Sequence, residues 1–380
     1  MRRLRVAMIQ DDWWPRTGGG PVHVRKLSES LATEFDCEID VYTRSLKRSD
    51  GKPFTATERL AGGAVTVHRL GPCTDYWDRI GRASSLVSPI LPVLRGDYDV
   101  VHGHTFLPAF PTKVASTFGR IPSVFTVHGT ALTSGVGHDT TGLSRLKRVV
   151  ERQFLLGFDY DHVISVNEEH IGLLKRTQSN VSCIPNGVDL DQFDVDEPTV
   201  DGRIVFLGRL APKKRVSDLV RAFDHIATDY PDAELVVVGE GPLGEELREL
   251  AVELGVADRV TFTGRVEEDE IPGYYASAEL FVLPSVWEGH PLTLLEAWAA
   301  SRPVIASDVE GIAEFVDHGE TGYLVESRNP AALADALRYA FDHPEEARAW
   351  GEAARERAER EFSWETAARR TREIYDRVVS

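Results

Sequence analysis

The sequence predicts an α/β protein with two doubly wound parallel-sheet domains, and three observations lead to this prediction. The 380 residues are enough for two domains of ordinary size. Short apolar runs alternate with amphipathic helical patterns along the whole chain, as in proteins built from βαβ units. This alternation starts again near residue 200, after an acidic loop over 189–201 that has the composition of a linker.

The charge of the chain is divided unevenly, which also favours two domains. The net charge is −17, and residues 1–196 contain 23 acidic and 23 basic residues. Residues 197–380 contain 37 acidic and 20 basic residues. Because binding to nucleic-acid phosphates needs clustered positive charge, we expect no nucleic-acid partner.

The cysteines and the apolar runs argue against several other classes of protein. The three cysteines are far apart and form no CxxC pattern, so we expect neither a disulfide framework nor a zinc–cysteine site. The longest uncharged run, 121–138, is too rich in Thr, Ser, Gly and His to span a membrane. The basic residues 2–5 precede an apolar run too short for a signal peptide, which predicts a first strand and an intracellular, cytoplasmic protein.

The elements follow in order along the chain. Many of the strand candidates are continuous apolar runs, which is typical of strands buried on both faces of a parallel sheet. The predicted strands are 4–10, 39–43, 64–70, 100–104, 123–127, 162–166, 181–184, 203–207, 233–238, 260–263, 280–283 and 303–306. The clearest predicted helices are 242–254, 331–340 and 364–379.

The segment after strand 280–283 has the strongest functional pattern. Ligands of open α/β sheets bind at the carboxyl ends of the strands. Pro291 is predicted to be the first residue of a helix, whose N-terminus suits a diphosphate. Glu288 precedes this helix and Glu296 lies more than one turn inside it, so both carboxylates can reach vicinal hydroxyls in one cleft. An isolated pair of this spacing is usually two surface acids, but its place after a buried strand favours a binding role.

Two cations follow strand 203–207. Arg209 lies directly at the strand exit, and Lys214 begins the next helical region. Two converging cations suit the phosphates of a nucleotide diphosphate and neutralise charge on a leaving group. A solvated basic turn is the alternative, although positive clusters are scarce in this acidic half. The Gly-Glu-Gly-Pro turn at 239–242 is, taken alone, more often structural.

The first half offers a glycine-rich turn and several histidines at strand ends. The turn over 13–23 suits close approach of a ligand, but it lacks the spacing of dinucleotide and P-loop motifs, so we assign neither NAD nor ATP binding. His128 follows strand 123–127 and can reach a cleft as a neutral imidazole. His102 and His104 form a pair with metal-binding potential, but no third ligand is evident, which favours a structural or acceptor-side role.

Taken together, these motifs resemble the retaining glycosyltransferases of the GT-B fold, family 4. The resemblance runs from the first strand to the last helix and is strongest between residues 183 and 325. It rests on Glu288 and Glu296, the G-R-L-x-x-x-K pattern at 208–214, the turn at 239–242 and Pro-Asn-Gly-Val-Asp at 185–189.

The resemblance implies a domain layout and a reaction. Residues 1–190 correspond to an acceptor-side Rossmann-like domain and 191–363 to a nucleotide-sugar-binding one, with helix 364–380 packing back on the first. The implied reaction transfers a hexose from a UDP- or GDP-linked sugar to a hydroxyl, with retained anomeric configuration and without metal or cofactor. The donor's β-phosphate oxygens help to deprotonate the incoming hydroxyl on the same face.

The resemblance also implies roles for individual residues. Arg209 and Lys214 neutralise the diphosphate, Glu288 contacts the donor sugar, and Glu296 binds the ribose. His128 touches the donor sugar near the reaction centre. The remaining donor contacts are the phosphate-lining glycines, a residue near the base and the backbone at the helix start: Gly18, Gly19, Val266, His290, Pro291, Leu292 and Thr293. The sequence departs from the family pattern at Pro21 in the glycine-rich turn. It also departs at Arg215 and Glu310, each of which replaces a common glycine.

The acceptor and the rival functions stay open at this point. The acceptor hydroxyl belongs to a glycan, a lipid-linked sugar or a small molecule. The basic amphipathic stretch 144–156 and the apolar stretch 83–94 suggest a peripheral contact with the inner face of a membrane, although an ordinary core-facing helix explains them as well. The rival functions are a nucleotide-sugar epimerase or sugar phosphorylase, and a non-catalytic nucleotide-sugar-binding module.

Overall fold

A computed structural model describes residues 2–13, 19–48, 51–75, 78–128, 152–153 and 157–380. The chain divides into two compact units. Unit 1 contains Met1–Asn186 together with Trp364–Ser380, and unit 2 contains Gly187–Ser363. Each unit is built around one β-sheet with helices packed against it.

The sheet of unit 1 has eight strands. They are β1 (Leu4–Ile9), β2 (Cys37–Leu46), β3 (Thr57–Leu60), β4 (Val65–Thr74), β5 (Val100–His104), β6 (Ser123–Val127), β7 (His162–Ser165) and β8 (Val181–Cys183). Their order is β3-β4-β2-β1-β5-β6-β7-β8. The edge strand β3 pairs antiparallel with β4, and the other pairs are parallel. The helices described in this part of the chain are α1 (Gly19–Glu34), α2 (Arg79–Ser84), α3 (Ile90–Arg95), α4 (Ala109–Gly119) and α5 (Ile171–Leu174).

The sheet of unit 2 has six parallel strands. They are β9 (Arg203–Leu207), β10 (Glu234–Val238), β11 (Val260–Gly264), β12 (Leu280–Leu283), β13 (Val304–Ser307) and β14 (Tyr323–Val325), in the order β11-β10-β9-β12-β13-β14. The helices are α6 (Val216–Ile226), α7 (Gly244–Glu253), α8 (Ile271–Ser277), α9 (Leu292–Ala299), α10 (Pro330–Asp342) and α11 (Pro344–Glu361).

The apolar runs of unit 2 form strands because both faces of the sheet are covered. Ile204 and Phe206 of β9 point into one core cluster, whereas Val205 between them belongs to the cluster on the opposite face. All three side chains are fully buried. A strand buried on both sides has no polar face, which is why the sequence shows an unbroken run instead of alternation.

The last helix, α12 (Trp364–Val379), returns to unit 1 and packs against α1. Ile374 and Tyr375 are buried on its inner face. The buried Arg372 donates hydrogen bonds to the backbone oxygens of Phe35 (2.5 Å) and Arg2 (2.6 Å). These contacts join the end of the chain to the start of the first sheet.

The architecture confirms the predicted fold class, and the differences are local. β3, β14 and α11 were not predicted: β3 is a four-residue edge strand, β14 has three residues, and α11 is rich in Arg and Glu, with a buried face made mostly of small residues. β2 extends to Cys37–Leu46, beyond the predicted 39–43. Within the described part of the chain, no helix combines the length and the apolar character that spanning a membrane requires.

Candidate active site

The polar groups of unit 2 gather where its central parallel strands end. β9 leads to Arg209 and to a 3₁₀ turn, Pro212–Lys214, and the neighbouring strand β12 leads to the loop with Glu288. The carboxyl ends of adjacent parallel strands lie at one edge of the sheet, which is the usual place for a ligand in this architecture.

Glu288 is the centre of a charged cluster. Its carboxylate is buried and accepts hydrogen bonds from the Lys214 ammonium at 2.5 Å and from the Ser285 hydroxyl at 2.6 Å. The Lys213 ammonium lies 3.7 Å from the second carboxylate oxygen. Burial by itself would raise the pKa of Glu288, but the two lysines and the hydroxyl bring that pKa below its ordinary value. Glu288 is therefore an ionised carboxylate at neutral pH.

Lys213 belongs to the same cluster, although the sequence interpretation did not single it out. Burial lowers the pKa of Lys213, Glu288 opposes this, and the charges of Lys214 and Arg209 lower it further. Its ammonium also lies 5.3 Å from the centre of the Trp287 ring. Three cations and one carboxylate leave this site with a formal charge of +2, which suits a diphosphate.

Close backbone contacts at Gly239 and Gly311 hold the loops that carry Arg209 and Glu288. The turn after β10 lies so close to the segment with Arg209 that a Cβ at Gly239 would come 2.1 Å from the oxygen of Gly208. The amide of Gly239 donates to the oxygen of Gly264 (2.9 Å), which ties the start of the 264–266 loop to the same turn. Val266 of that loop is half-buried against a core cluster. On the other side, a Cβ at Gly311 would lie 1.9 Å from the oxygen of Glu288.

Glu296 is held from inside the unit. The hydroxyl of Tyr275, a fully buried side chain, donates to the Glu296 carboxylate at 2.7 Å and lies 3.2 Å from the oxygen of Thr293. Burial, together with the charge of Glu296 and this hydrogen bond, raises the pKa of Tyr275 well above its ordinary value. Tyr275 thus remains a donor and fixes the direction of the carboxylate.

The start of α9 differs by one residue from the prediction. The helix begins at Leu292, and Pro291 has extended backbone angles at the capping position, so Pro291 is not the first helical residue. Leu292 and Thr293 lie in the first turn, where amides lack partners within the helix. The Thr293 hydroxyl is buried and has no hydrogen-bond partner among the described residues. The His290 ring packs against Phe315, with 4.4 Å between the ring centres.

In unit 1, His128 lies in a cluster of three histidines. His23 of α1, His104 at the end of β5 and His128 after β6 each present one ring nitrogen, and these three atoms lie within 4.8 Å of one another. The sequence interpretation paired His104 with His102, found no third ligand and favoured a structural or acceptor-side role. The structure brings His23 and His128 to His104 as well. The two ring nitrogens of His102 bond instead to the hydroxyls of Tyr375 (2.6 Å) and Thr126 (2.8 Å).

Burial keeps the imidazoles of His23 and His104 neutral. It lowers the pKa of His23 to about 4, against a smaller opposite effect of the hydrogen bond with Asn186. Burial, with the charges of the other histidines, holds the pKa of His104 well below its ordinary value. A neutral imidazole at a strand end offers a lone pair and a donor to a ligand.

The glycine-rich turn is described in part. Gly19 is the first residue of α1, and open space surrounds its Cα where a Cβ would lie. A Cβ at Gly20 would approach the Gln10 side chain to 3.2 Å. Gly18 lies outside the described residues, as does most of the basic stretch 144–156.

The sequence interpretation missed five residues of these sites. Lys213 stands beside Lys214 in the same motif, so its sequence position was the available signal. Tyr275 comes from a helix remote in the chain and gave no local signal, whereas His23 stood at the end of the glycine-rich segment 13–23 without a pattern of its own. Ser285 and Trp287 stood inside the segment after β12 without a pattern of their own.

The two parallel-sheet units, with charged loops at their strand ends, define the class of protein as GT-B. A family model described as "Glycosyltransferase Family 4" matches residues 17–192, and one described as "Glycosyl transferases group 1" matches residues 188–357. The chain is similar to the sucrose-phosphate synthase of Thermosynechococcus elongatus, with a TM-score of 0.84, 26% identity and 99% of each chain covered. It also shares its fold with Anabaena Alr3699/HepE in complex with UDP-glucose, with a TM-score of 0.77 and 18% identity over 99% of this chain and 100% of that one.

Curated relatives lead to the same family. A glycogen synthase of Mycobacterium tuberculosis is 32% identical over 98% of this chain and 94% of its own length. A GDP-mannose-dependent alpha-(1-6)-phosphatidylinositol monomannoside mannosyltransferase of the same species is 32% identical over 96% of both chains. The chain belongs to glycosyltransferase family 4, and it is a glycosyltransferase.

Proposed function

We propose that the protein transfers a hexose from a UDP- or GDP-linked sugar to a hydroxyl acceptor, with retention of anomeric configuration and without a metal ion. The observation that carries this proposal is the +2 cluster of Arg209, Lys213, Lys214 and Glu288 at the strand ends of unit 2. It supplies the charge that a divalent metal would otherwise bring to a leaving diphosphate.

The donor-site assignments rest on the chemistry of each side chain. Glu296, held by Tyr275, is an acceptor of suitable geometry for two vicinal ribose hydroxyls. The first turn of α9, with the Thr293 hydroxyl, offers donors to a phosphate or sugar oxygen. Val266 lines the base, and Glu288 accepts a hydrogen bond from a hydroxyl of the donor sugar.

Unit 1 supplies the groups near the transferred sugar. His128 contacts the donor sugar with a neutral imidazole, and Gly18 and Gly19 line the phosphates. The incoming hydroxyl gives its proton to a β-phosphate oxygen of the donor, its oxygen bonds to the anomeric carbon, and the nucleotide diphosphate leaves from the same face. No cofactor takes part, since the nucleotide-diphosphate sugar is the donor substrate.

The acceptor belongs to a glycan, a lipid-linked sugar or a small molecule, since the related proteins named above include both a glycogen synthase and an enzyme that acts on a phosphatidylinositol mannoside. A peripheral contact with an anionic membrane is part of this proposal. It is supported by Val87 and Leu91, which are 59% and 51% exposed in the 83–94 stretch, and by the exposed Arg79 and Arg95 on either side. Sedimentation with anionic vesicles at low salt tests it, and failure to bind would contradict this part.

A donor panel tests the reaction itself. Labelled UDP- and GDP-hexoses are incubated with mixed sugar and lipid-linked acceptors in the presence of EDTA, and proton NMR assigns the anomeric configuration of the product. We expect transfer with retention and one nucleotide diphosphate released per bond formed. Conversion of the donor without acceptor and without nucleotide release would instead indicate an epimerase, and inversion of configuration would contradict the mechanism.

A further inference from the structure

We propose that His23, His104 and His128 form a binding site for one divalent transition-metal ion of the zinc class. One ring nitrogen from each residue lies within 4.8 Å of the other two. Nitrogens bound to one tetrahedral zinc ion are about 3.3 Å apart, given Zn–N bonds of about 2.0–2.1 Å. The three nitrogens therefore have to approach one another by at most about 1.5 Å for one ion to bind all of them.

His23 is already oriented as a ligand. Its Nδ1 donates a hydrogen bond to the Oδ1 of Asn186 at 2.7 Å, which leaves the proton on Nδ1 and the lone pair on Nε2. This Nε2 is buried and has no hydrogen-bond partner among the described residues. A ligating histidine almost always donates its other N–H to an oxygen in this way, because the bond fixes both the tautomer and the ring direction.

The ring of His104 is buried, and its nitrogens have no hydrogen-bond partner in the part of the chain that the structure describes. It is fully buried at the end of β5, and within the described ranges neither of its ring nitrogens makes a hydrogen bond. Leaving a buried polar group in this state is unfavourable, and a metal–nitrogen bond would satisfy one of the two atoms. The ring of His102 lies against it, 4.0 Å away between ring centres, and is itself held by Tyr375 and Thr126.

The choice of metal follows from the ligands. Three imidazoles suit Zn²⁺, Co²⁺, Ni²⁺ and Cu²⁺, whereas Mg²⁺ and Ca²⁺ prefer oxygen ligands. A water molecule or a ligand oxygen would take the fourth position. The bound ion would tie α1 to the ends of β5 and β6. It is separate from the neutralisation of the diphosphate, which the proposed function assigns to cations of unit 2.

The experiment titrates the full-length protein with Co²⁺ after removal of metal by a chelator. We expect visible ligand-field absorption of a four- or five-coordinate ion at one equivalent per chain, loss of this absorption when Zn²⁺ is added, and a higher Tm with Zn²⁺ but not with Mg²⁺. His128 also belongs to the proposed donor site, but the readout is metal binding and not sugar transfer, so failure of one proposal is distinguishable from failure of the other.

Four variants make the test specific. His104→Gln and His23→Gln should each abolish the absorption, and Asn186→Ala should weaken Co²⁺ binding about 10–100-fold by releasing the His23 ring. His225→Gln, which removes an exposed histidine of unit 2, should leave binding unchanged. Circular dichroism checks that each variant folds, and Asn186→Ala keeps all three ligands if a histidine variant does not. The proposal is overturned if the wild-type protein binds no Co²⁺, or if both histidine variants bind it like wild type.

Discussion

Glu288 shows how a single carboxylate sets the charge of the donor site. It is buried, it is ionised, and it is shared by Lys214 and Lys213. A diphosphate bound at the proposed donor site would compete with Glu288 for these two ammonium groups. The carboxylate would then lower the positive charge available to the nucleotide, while it keeps the lysines in place before the donor binds.

Substitution of Glu288 separates these two effects. Glu288→Gln keeps an oxygen for the Ser285 hydroxyl but removes the negative charge, so we expect the nucleotide diphosphate to bind at least as tightly as in wild type. Turnover should fall about 100-fold, because the contact to the reacting sugar is weakened. Calorimetry with the diphosphate and initial rates of transfer measure the two quantities. Weaker nucleotide binding with unchanged turnover would contradict the assigned role.

Substitutions of Lys214 and Glu296, unlike Glu288→Gln, should weaken donor binding. Lys214→Ala removes a cation of the diphosphate site, and Glu296→Ala removes the acceptor for the ribose hydroxyls, so we expect both to weaken donor binding. Lys214→Ala should also lower turnover by about 10–100-fold, since a charge on the leaving group is no longer neutralised. Wild-type kinetics for both variants would refute this site.

At the scale of elements, two glycine positions explain how the loops hold their geometry. Gly311 and Gly319 both have φ +78, in the left-handed region. A Cβ at Gly311 would lie 1.9 Å from the oxygen of Glu288, whereas a Cβ at Gly319 meets nothing within 4 Å. At Gly311 a side chain is therefore excluded both by the positive φ and by the contact with Glu288, whereas at Gly319 only the positive φ favours glycine.

These two glycines form a matched pair for a stability experiment. Gly319→Ala should lower the free energy of unfolding by about 1 kcal/mol, the cost of a left-handed alanine. Gly311→Ala should cost clearly more and should also weaken donor binding, because the backbone of Glu288 must move. Urea unfolding and nucleotide calorimetry of both variants test this. Equal effects of the two substitutions would show that the contact with Glu288 is unimportant.

At the start of α6, a residue other than glycine adopts a positive φ. Arg215 has φ 50, and its side chain makes two hydrogen bonds of 2.7 Å to the buried carboxylate of Asp218. This ion pair accounts for an arginine at a position with positive φ. The ion pair offsets a backbone conformation that costs about 1 kcal/mol in a residue with a Cβ.

Two substitutions at this position should therefore differ. Both Arg215→Ala and Arg215→Gly lose the ion pair with Asp218, but glycine adopts a positive φ without strain. We expect Arg215→Gly to be more stable than Arg215→Ala by about 1 kcal/mol in chemical denaturation. An alanine variant at least as stable as the glycine variant would rule out backbone strain as the explanation.

At the scale of the whole molecule, the buried histidines of unit 1 predict sensitivity to acid. Burial lowers the pKa of His23 from 6.5 to about 4 and holds the pKa values of His102 and His104 well below the ordinary value. As pH falls below 6.5, these histidines become protonated in the unfolded chain but stay neutral in the folded chain. The free energy of unfolding therefore decreases between pH 6.5 and about 4. At about pH 4, His23 alone should lower the free energy of unfolding by about 3 kcal/mol.

Denaturation at several pH values between 7 and 4.5 checks this prediction. With decreasing pH, the free energy of unfolding should fall less steeply for His23→Gln than for wild type. The variant has one fewer histidine that becomes protonated only in the unfolded chain. His225→Gln should follow the wild-type curve, because its histidine is exposed. Identical slopes for His23→Gln and wild type would contradict the link between burial and acid sensitivity.

The sequence predicted the parallel strands and the charged segments well, for a physical reason. Strands buried on both faces require unbroken apolar runs such as Leu280–Leu283, and ligand groups follow those runs directly in the chain. The sequence could not predict contacts between distant elements. Tyr275 beside Glu296 and His23 beside His104 meet through packing, and no local pattern encodes either contact.

The most direct test of the central claim is stabilisation by nucleotides in the presence of EDTA. UDP, GDP and ADP are added at matched concentration to the wild-type protein and to Lys214→Ala and Glu296→Ala, and Tm is measured. We expect one nucleotide to stabilise the wild-type protein, by about 2.7 kcal/mol at 100 times its Kd, and to stabilise both variants much less. A folded wild-type protein that responds to none of the three, or variants that respond equally, would contradict a metal-independent donor site in unit 2.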